Sequence, residues 1–299
     1  MSDVIAVQDG GPTTGIIVWW ELAGNVVLTE MLEALADQCL DDSWAPPPPT
    51  LDRALQRAAL SCCTGGREML RPLSRRGRWE IVHEKVVHTQ DDDFNEIETL
   101  EHRAVVQGWA EPDGSDNRQP HIRIVDDSAG PKLRQAILGK VQYYENLLTH
   151  DDISMWLLWV ANSTQVRSVS LRQRGGFYFI PNASVPFWRS IAEAVRDCSG
   201  HSMFEIPAMR SDEAVEAVLY SLQRESVAAF KELESYLAGE TSTRGLNSCE
   251  RRVELIRAKV KHYVDLLGVE QPKLTEQLDR LRGAITAARI TEVAEQPTA

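Results

Sequence analysis

Apolar residues recur every three or four positions through the last third of the chain, beyond Ser211. The repeat is most regular from Leu246 to Leu267, and breaks containing glycine or proline fall near 239–245 and 268–272. This spacing predicts three long helices with coiled-coil-like seams. Because such seams are too apolar to remain in water, they either pack into an intramolecular three-helix bundle or pair with a second copy or another protein.

Nearer the start of the chain, the pattern changes from strand-like to helical. The run TGIIVWWE, from Thr14 to Glu21, is rich in β-branched and aromatic residues and predicts a buried strand. Residues 26–40 then place apolar side chains on one helical face. The four prolines within 45–50 indicate a stiff extended connector, after which Thr50 is placed to cap a further helix.

A predicted antiparallel sheet follows. From Trp79 to Val87 and again from Ile97 to Val106, hydrophobic and polar residues alternate on either side of an acidic loop. This period of two predicts an antiparallel strand pair with one solvated face. Residues 120–125 are a candidate third strand.

The middle of the chain returns to helices. Pro131 begins a predicted helix of about 18 residues. Thr149 with Asp152 resembles a capping box for a second helix. A third helix is expected to begin after a cap at Asn182 or Ser184 and to extend through Cys198, and residues 203–207 predict a short strand.

The stretch SVSLRQRGGFYFIP, residues 168–181, predicts a β-hairpin whose turn carries Arg172 and Arg174. Two helices followed by a hairpin with a basic tip is the order of a winged helix, in which the wing contacts the phosphate backbone. A structural hairpin with a solvated tip explains the same pattern. The two interpretations stay open at the level of sequence.

Taken together, these elements predict an α+β fold, with more than one domain in 299 residues. We expect an α+β N-terminal domain at 1–129 with antiparallel strands. A winged-helix-like segment with its β-hairpin is expected at 130–207. The C-terminal long-helix bundle, a coiled-coil-like module, is expected at 208–299.

Charge changes this picture because it is unevenly distributed. The formal net charge of −12 disfavours indiscriminate nucleic-acid binding, since an acidic surface repels phosphates. Residues 50–78, however, hold seven arginines against two carboxylates, and residues 131–182 are also net positive. The candidate nucleic-acid-binding residues in these segments are Arg172, Arg174, Arg167, Arg67, Arg71, Arg75, Arg76 and Arg78.

The sequence contains no nucleotide-binding loop, nucleophile motif or paired-cysteine metal motif. We therefore expect no cofactor, no bound metal and no catalytic residue. The alternative is a metal-dependent enzyme that uses carboxylates and imidazoles of the strand pair, which also suit the solvated face of a sheet. These residues are Glu84, His88, Glu98 and His102. The five cysteines are irregularly spaced and predict free thiols.

The leading hypothesis is a non-enzymatic cytoplasmic binding protein that contacts nucleic-acid phosphates through its arginines and assembles through its C-terminal helices. The cytoplasmic expectation rests on an N-terminus without a basic cluster or long apolar core. No apolar run approaches the roughly 20 residues of a membrane helix, so no membrane partner is expected. The alternative is a protein-interaction or scaffolding subunit of a larger complex without a nucleic-acid role.

Overall fold

The computed structural model describes residues 13–63, 68–73, 77–90, 96–112, 118–172, 176–198, 200–209, 211–237 and 243–295. The strands are β1 (Thr13–Glu21), β2 (Val26–Val27), β3 (Glu68–Pro72), β4 (Trp79–Gln90), β5 (Glu96–Pro112), β6 (Arg118–Ile124), β7 (Leu147–Leu148), β8 (Val169–Ser170), β9 (Tyr178–Pro181) and β10 (Ser202–Met209). The helices are α1 (Leu28–Asp37), α2 (Leu51–Leu60), α3 (Gly130–Glu145), α4 (His150–Ala161), α5 (Val185–Asp197), α6 (Asp212–Leu237), α7 (Thr243–Leu267) and α8 (Pro272–Glu295). The α+β class and the C-terminal helices predicted from the sequence are confirmed.

The chain divides into two compact units, and each unit collects separate stretches of sequence. The first unit contains the chain up to Ala23, Ala34–Trp44 and the chain from Ser154 onward. The second contains Gly24–Glu33 and Ala45–Ile153. The domain division expected from the sequence stays a prediction.

In the first unit, β1 is an inner strand of a four-stranded antiparallel sheet with the order β10-β1-β9-β8. Its side chains alternate between the two faces, as the period of a strand requires. Ile16 and Val18 are buried on one face, and Ile17 on the other packs against the helical core. The strand expected from Thr14 to Glu21 is confirmed, and the short strand expected at 203–207 is present as the longer β10.

Helices α6, α7 and α8 bury their apolar stripes against one another and against this sheet. Leu222 of α6, Val253 of α7 and Leu278 of α8 belong to one core cluster, which also contains Phe179 and Ala208 of the sheet. The helical bundle is therefore confirmed. Of the two explanations for the apolar seams, the structure shows the first, in which the three helices pack against one another within the chain.

The second unit has a four-stranded antiparallel sheet with the order β3-β4-β5-β6. Helices α2 and α3 pack together beside this sheet and bury Leu55 and Ile137 with Ile81 and Val106. The antiparallel pair predicted from alternation is confirmed as β4 and β5, and the third strand as β6. The edge strand β3 lies in the arginine-rich segment and was not predicted.

Several local predictions differ in detail from the structure. Val26 and Val27 form β2, which pairs with β7, so α1 begins only at Leu28. Thr50 occupies the N-cap of α2 without a side-chain hydrogen bond. Ser184 precedes α5, but its hydroxyl donates to the Gln165 carbonyl oxygen instead of capping the helix.

The capping box before α4 is confirmed atom by atom. The backbone N–H of Thr149 donates to Oδ2 of Asp152 at 3.0 Å, and the backbone N–H of Asp152 donates to Oγ1 of Thr149 at 3.4 Å. These reciprocal bonds satisfy two N–H groups that a helix start otherwise leaves unpaired.

The predicted hairpin is present, but it is short. Val169 pairs with Phe179 and Ser170 with Tyr178, while β9 also pairs with β1. The hairpin therefore consists of β8 and β9, which belong to the four-stranded sheet with β8 as its edge strand. Among the helices that the structure describes, none has the length and hydropathy needed to cross a membrane.

Candidate functional site

The candidate arginines fall into three groups. Arg167 and Arg172 lie in the first unit and line the same cleft. Arg71 and Arg78 lie in the second unit. The remaining four lie outside the described residues and are Arg174, Arg67, Arg75 and Arg76.

Arg167 sits in the turn between α4 and β8 and is held by its backbone. Its φ of 55° is in the left-handed region, which is uncommon for a residue other than glycine. Its N–H donates to the Ser163 carbonyl oxygen at 2.8 Å, and its own carbonyl oxygen accepts from the Tyr263 hydroxyl at 2.8 Å. Hydrogen bonds to its own turn and to α7 therefore fix the backbone position from which the Arg167 side chain extends.

The cleft has a volume of about 570 Å³ and lies between this turn, β8 and the helices α6 and α7. Its lining has five cationic side chains against two carboxylates, a formal excess of three positive charges in a chain whose net charge is negative. The charged lining residues are Arg167, Arg172, Arg224, Arg252, Lys259, Glu225 and Glu232.

Two of the five cations are neutralised locally. Arg252 forms an ion pair with Glu232. Lys259 Nζ donates to Oε1 of Glu225 at 2.5 Å. Burial lowers the pKa of Lys259, and the Glu225 carboxylate partly offsets this by favouring the charged amine.

The other three cations have no carboxylate within ion-pair distance among the described residues. Arg224 donates from Nη2 to the Ser170 carbonyl oxygen at 3.0 Å, and its guanidinium lies 5.9 Å from the Tyr220 ring centre. Arg172 is exposed, and Arg167 is partly buried. Guanidinium groups that meet no carboxylate are available to an anion from solution.

Within the described part of the chain, four buried polar atoms in or next to the cleft lining have no hydrogen-bond partner. They are Nε of Arg167, Oε2 of Glu225, Oγ of Ser168, which is the next residue after Arg167, and Nε2 of His262, whose pKa is affected by Arg167. Leaving a buried donor unpaired costs about 1–3 kcal/mol, so such atoms call for a polar partner such as water or a ligand. Of these four atoms, Arg167 Nε and Glu225 Oε2 belong to residues that line the cleft.

His262 and Tyr263 of α7 respond to the charges beside this cleft. Burial lowers the pKa of His262, and the positive charge of Arg167 lowers it further. Burial raises the pKa of Tyr263 well above its ordinary value, and the Glu225 carboxylate adds to this effect. Near neutral pH both groups are therefore uncharged and leave the positive balance of the cleft unchanged.

Three arginines of the second unit make contacts within that unit, namely Arg53, Arg57 and Arg78. Arg57 donates to Oδ2 of Asp152 at 2.6 Å, and Arg53 donates to Oδ1 of the same carboxylate at 3.0 Å. The Arg78 guanidinium lies 4.5 Å from the centre of the Trp109 ring, a cation–π distance. The half-buried Arg71 lies on β3 and pairs in register with Glu80 of β4.

The alternative metal-binding or catalytic group has two members whose side chains are described. Glu84 and His102 face each other across β4 and β5, with Oε1 and Nδ1 3.5 Å apart. The side chains of His88 and Glu98 lie outside the described part of the structure. Among the described residues, no three metal-ligating side chains come together.

A comparison with protein families matches residues 14–296, nearly the whole chain. The chain belongs to the DUF6744 family. That family is described as one of unknown function, so membership assigns neither a ligand nor a reaction. No curated protein and no solved structure matches this DUF6744 member.

Sequence reasoning missed three of the five cations of the cleft. Arg224 lies on α6, and Arg252 and Lys259 lie on α7, more than 40 residues after the hairpin. In a helical pattern these residues look like an ordinary solvated face. The signal that the sequence did carry was the positive balance around the hairpin, which contributes Arg167 and Arg172.

Proposed function

We propose that this DUF6744 protein is a non-enzymatic binding protein whose first unit contacts the phosphates of nucleic acid through the cleft between the 162–172 segment, α6 and α7. The observation that carries the proposal is the convergence of Arg167, Arg172 and Arg224 without a carboxylate partner among the described residues. Phosphate contacts of this kind position a strand without reading its sequence.

Comparison with other arginines of the same unit supports this function. Arg189 meets Glu205, Arg196 meets Glu193 and Arg289 meets Glu250, each at 2.7 Å. Several surface arginines of this unit thus find a carboxylate, whereas Arg167, Arg172 and Arg224 meet none among the described residues and line one cleft. That grouping is the arrangement expected where the anion comes from a ligand.

Two further parts of the function stay proposals. One is the winged-helix-like role of segment 130–207, in which the hairpin tip would follow a phosphate backbone. The other is assembly through the C-terminal helices, whose apolar seams are buried within the chain. A partner would therefore meet their outer faces, where Ile290 of α8 is exposed.

The test is equilibrium binding of labelled single-stranded DNA, RNA and duplex DNA over a salt series. The Arg167→Ala/Arg172→Ala variant is compared with the unaltered chain. We expect binding to weaken about tenfold or more, because charge-assisted hydrogen bonds to phosphate are lost. The slope of log affinity against log salt should become shallower by about one to two.

The matched control removes two positive charges elsewhere. Arg280 and Arg282 are exposed on α8 and do not line the cleft. The Arg280→Ala/Arg282→Ala variant should retain the affinity and the salt slope of the unaltered chain. Equal losses of affinity in both variants would show that binding depends on net charge and not on the cleft. Absence of binding at low salt would overturn the proposal.

A second candidate is a protein-interaction subunit without a nucleic-acid role. The observation in its favour is an apolar ridge on α4, where Met155 and Trp159 are exposed one helical turn apart. The same salt series separates the two candidates, because this one predicts no salt-dependent binding to any nucleic acid.

A further inference from the structure

Three aromatic side chains gather at the end of the first unit's sheet that carries the hairpin turn. The rings of Trp19 and Phe204 are stacked, with centres 5.1 Å apart and planes 12° from parallel. The ring of Phe177 lies 5.5 Å from that of Trp19. We call Trp19, Phe177 and Phe204 the aromatic ledge.

The ledge shares a face with the core of the bundle but is not covered by it. By strand alternation, Phe177 lies on the same face as Phe179, and Phe204 lies on the same face as Ala208. Phe179 and Ala208 are buried in the helical core. Phe177 is nevertheless 39% exposed and Phe204 37% exposed. Large apolar rings are therefore left open to solvent where the helical cover ends.

The ledge adjoins the cleft through the hairpin. The backbone N–H of Leu171 donates to the Phe177 carbonyl oxygen at 2.9 Å, so these two residues face each other across the turn. Arg172, which lines the cleft, is the next residue after Leu171. The cleft and the ledge are thus connected along the backbone by a single residue, Leu171, so an extended ligand that contacts Arg172 can reach the ledge as well.

We propose that the ligand of the cleft is a single strand of nucleic acid, whose bases stack on the aromatic ledge while its phosphates meet Arg172, Arg167 and Arg224. This inference rests on the proposed function and narrows the ligand from nucleic acid in general to single strands. In a duplex the base faces are already stacked on one another, so a neighbouring aromatic surface adds little. In a single strand they are free, and a basic groove beside exposed aromatic rings is the common arrangement for binding it.

Charge decides between this ligand and an apolar protein segment on the same ledge. Glu205 of β10 is paired with Arg189, so its charge is balanced. Glu21 is exposed beyond Trp19 at the end of β1 and limits the ledge on that side. The neighbouring cleft carries excess positive charge, which an apolar partner would leave unmatched and a polyanion would neutralise.

The experiment compares four labelled ligands of one length on the full chain at low salt. They are a thymidine strand, a uridine strand, a strand of abasic sugar phosphates and a duplex. The abasic strand keeps the phosphates and lacks the bases. We expect the two intact single strands to bind about fivefold or more tightly than the abasic strand and the duplex. The thymidine and uridine arms show whether DNA or RNA is preferred.

A ledge variant tests the same inference from the protein side. Phe177→Ala/Phe204→Ala should lower the affinity for an intact strand to that for the abasic strand and leave the salt slope unchanged. Phe177→Tyr, which keeps a stacking ring, should retain the affinity. Tyr143→Ala removes an exposed aromatic ring from the second unit and should have no effect.

The outcomes separate the two levels of the proposal. If all four ligands bind equally and the arginine variant weakens all of them, phosphate binding stands and base stacking is wrong. If no ligand binds, the proposed function fails and the inference fails with it. The abasic comparison needs only the unaltered chain, so it decides the question even if the ledge variant does not fold.

Discussion

Two arginine clusters, one in each unit, differ in whether the fold supplies their counter-charge. In the second unit, Arg53 and Arg57 converge on the carboxylate of Asp152. This carboxylate also accepts a hydrogen bond from the Thr149 backbone N–H at the start of α4. In the first unit, Arg167, Arg172 and Arg224 converge on a cleft without a carboxylate for any of them among the described residues. Arginine density along the chain is therefore a poor guide to function. The informative property is whether the fold supplies the counter-charge.

The largest effect is expected on the free energy of unfolding, when an arginine of the second unit that neutralises a largely buried carboxylate is removed. Arg57→Ala should lower the free energy of unfolding by about 2–3 kcal/mol, because Asp152 is only 9% exposed and loses its closest cationic partner. Arg172→Ala should cost less than about 0.5 kcal/mol, since this exposed side chain has no ion pair among the described residues. Urea unfolding followed by circular dichroism measures both.

Arg53→Ala is the matched control for that measurement. It removes a cation from the same carboxylate, but the Arg53 side chain is 63% exposed, so its loss should cost well under that of Arg57. Equal costs for Arg57→Ala and Arg172→Ala would contradict the distinction between these two arginine clusters.

The next effect concerns pH and the unbalanced charge of Arg167. Burial, and then Arg167, lower the pKa of His262 below its ordinary value near 6.5, with Asp265 acting in the opposite sense. The unfolded chain therefore binds a proton that the folded chain does not. Stability should fall as the pH drops below about 6.5, by at most about 1.4 kcal/mol per pH unit, until the folded imidazole is protonated as well.

His262→Gln isolates this contribution. Thermal unfolding between about pH 5 and pH 7.5 should show a flatter pH dependence in the variant than in the unaltered chain. A bound phosphate ligand at Arg167 should raise the pKa of His262, because the anion offsets the guanidinium charge. Parallel pH profiles for the two proteins would mean that folding does not lower the pKa of His262.

The smallest effect changes the balance of the cleft by one charge. Glu232→Gln removes the partner of Arg252, so single-stranded nucleic acid should bind about threefold more tightly, with a slightly steeper salt dependence. Glu276→Gln on α8 makes the same charge change outside the cleft and should have little effect. Fluorescence anisotropy with one labelled strand compares the two. Weaker binding in Glu232→Gln would argue that Arg252 needs Glu232 to hold its position.

Local patterns were sufficient for much of the fold. The Thr149 and Asp152 pair was readable because a capping box involves only neighbouring residues. The helices of the bundle were readable from their repeat. The edge strand β3 was missed because its sequence, EMLRP, combines an arginine and a proline within five residues and does not alternate.

The candidate site was less predictable, because it depends on contacts between distant residues. Arg167 and Arg172 were selected from local charge, but nothing in the sequence indicated that Arg57 would meet Asp152 some 95 positions away. The same limit applies to Arg224, which reaches the hairpin through the Ser170 carbonyl oxygen. Charge patterns identify cations, and only the fold shows which of them are neutralised.

The place of β1 in its sheet has a consequence for biosynthesis. This apolar strand is synthesised well before its two neighbours, β9 and β10, which begin only at Tyr178 and Ser202. At about 5–20 residues per second, a ribosome needs roughly 8–36 seconds to add the intervening chain. By then the second unit, which ends at Ile153, has been synthesised completely. During that interval the nascent protein carries an inner strand without its partners. An unpaired apolar strand can pair with other chains, so TGIIVWWE is the segment at which we expect aggregation to begin unless it is shielded.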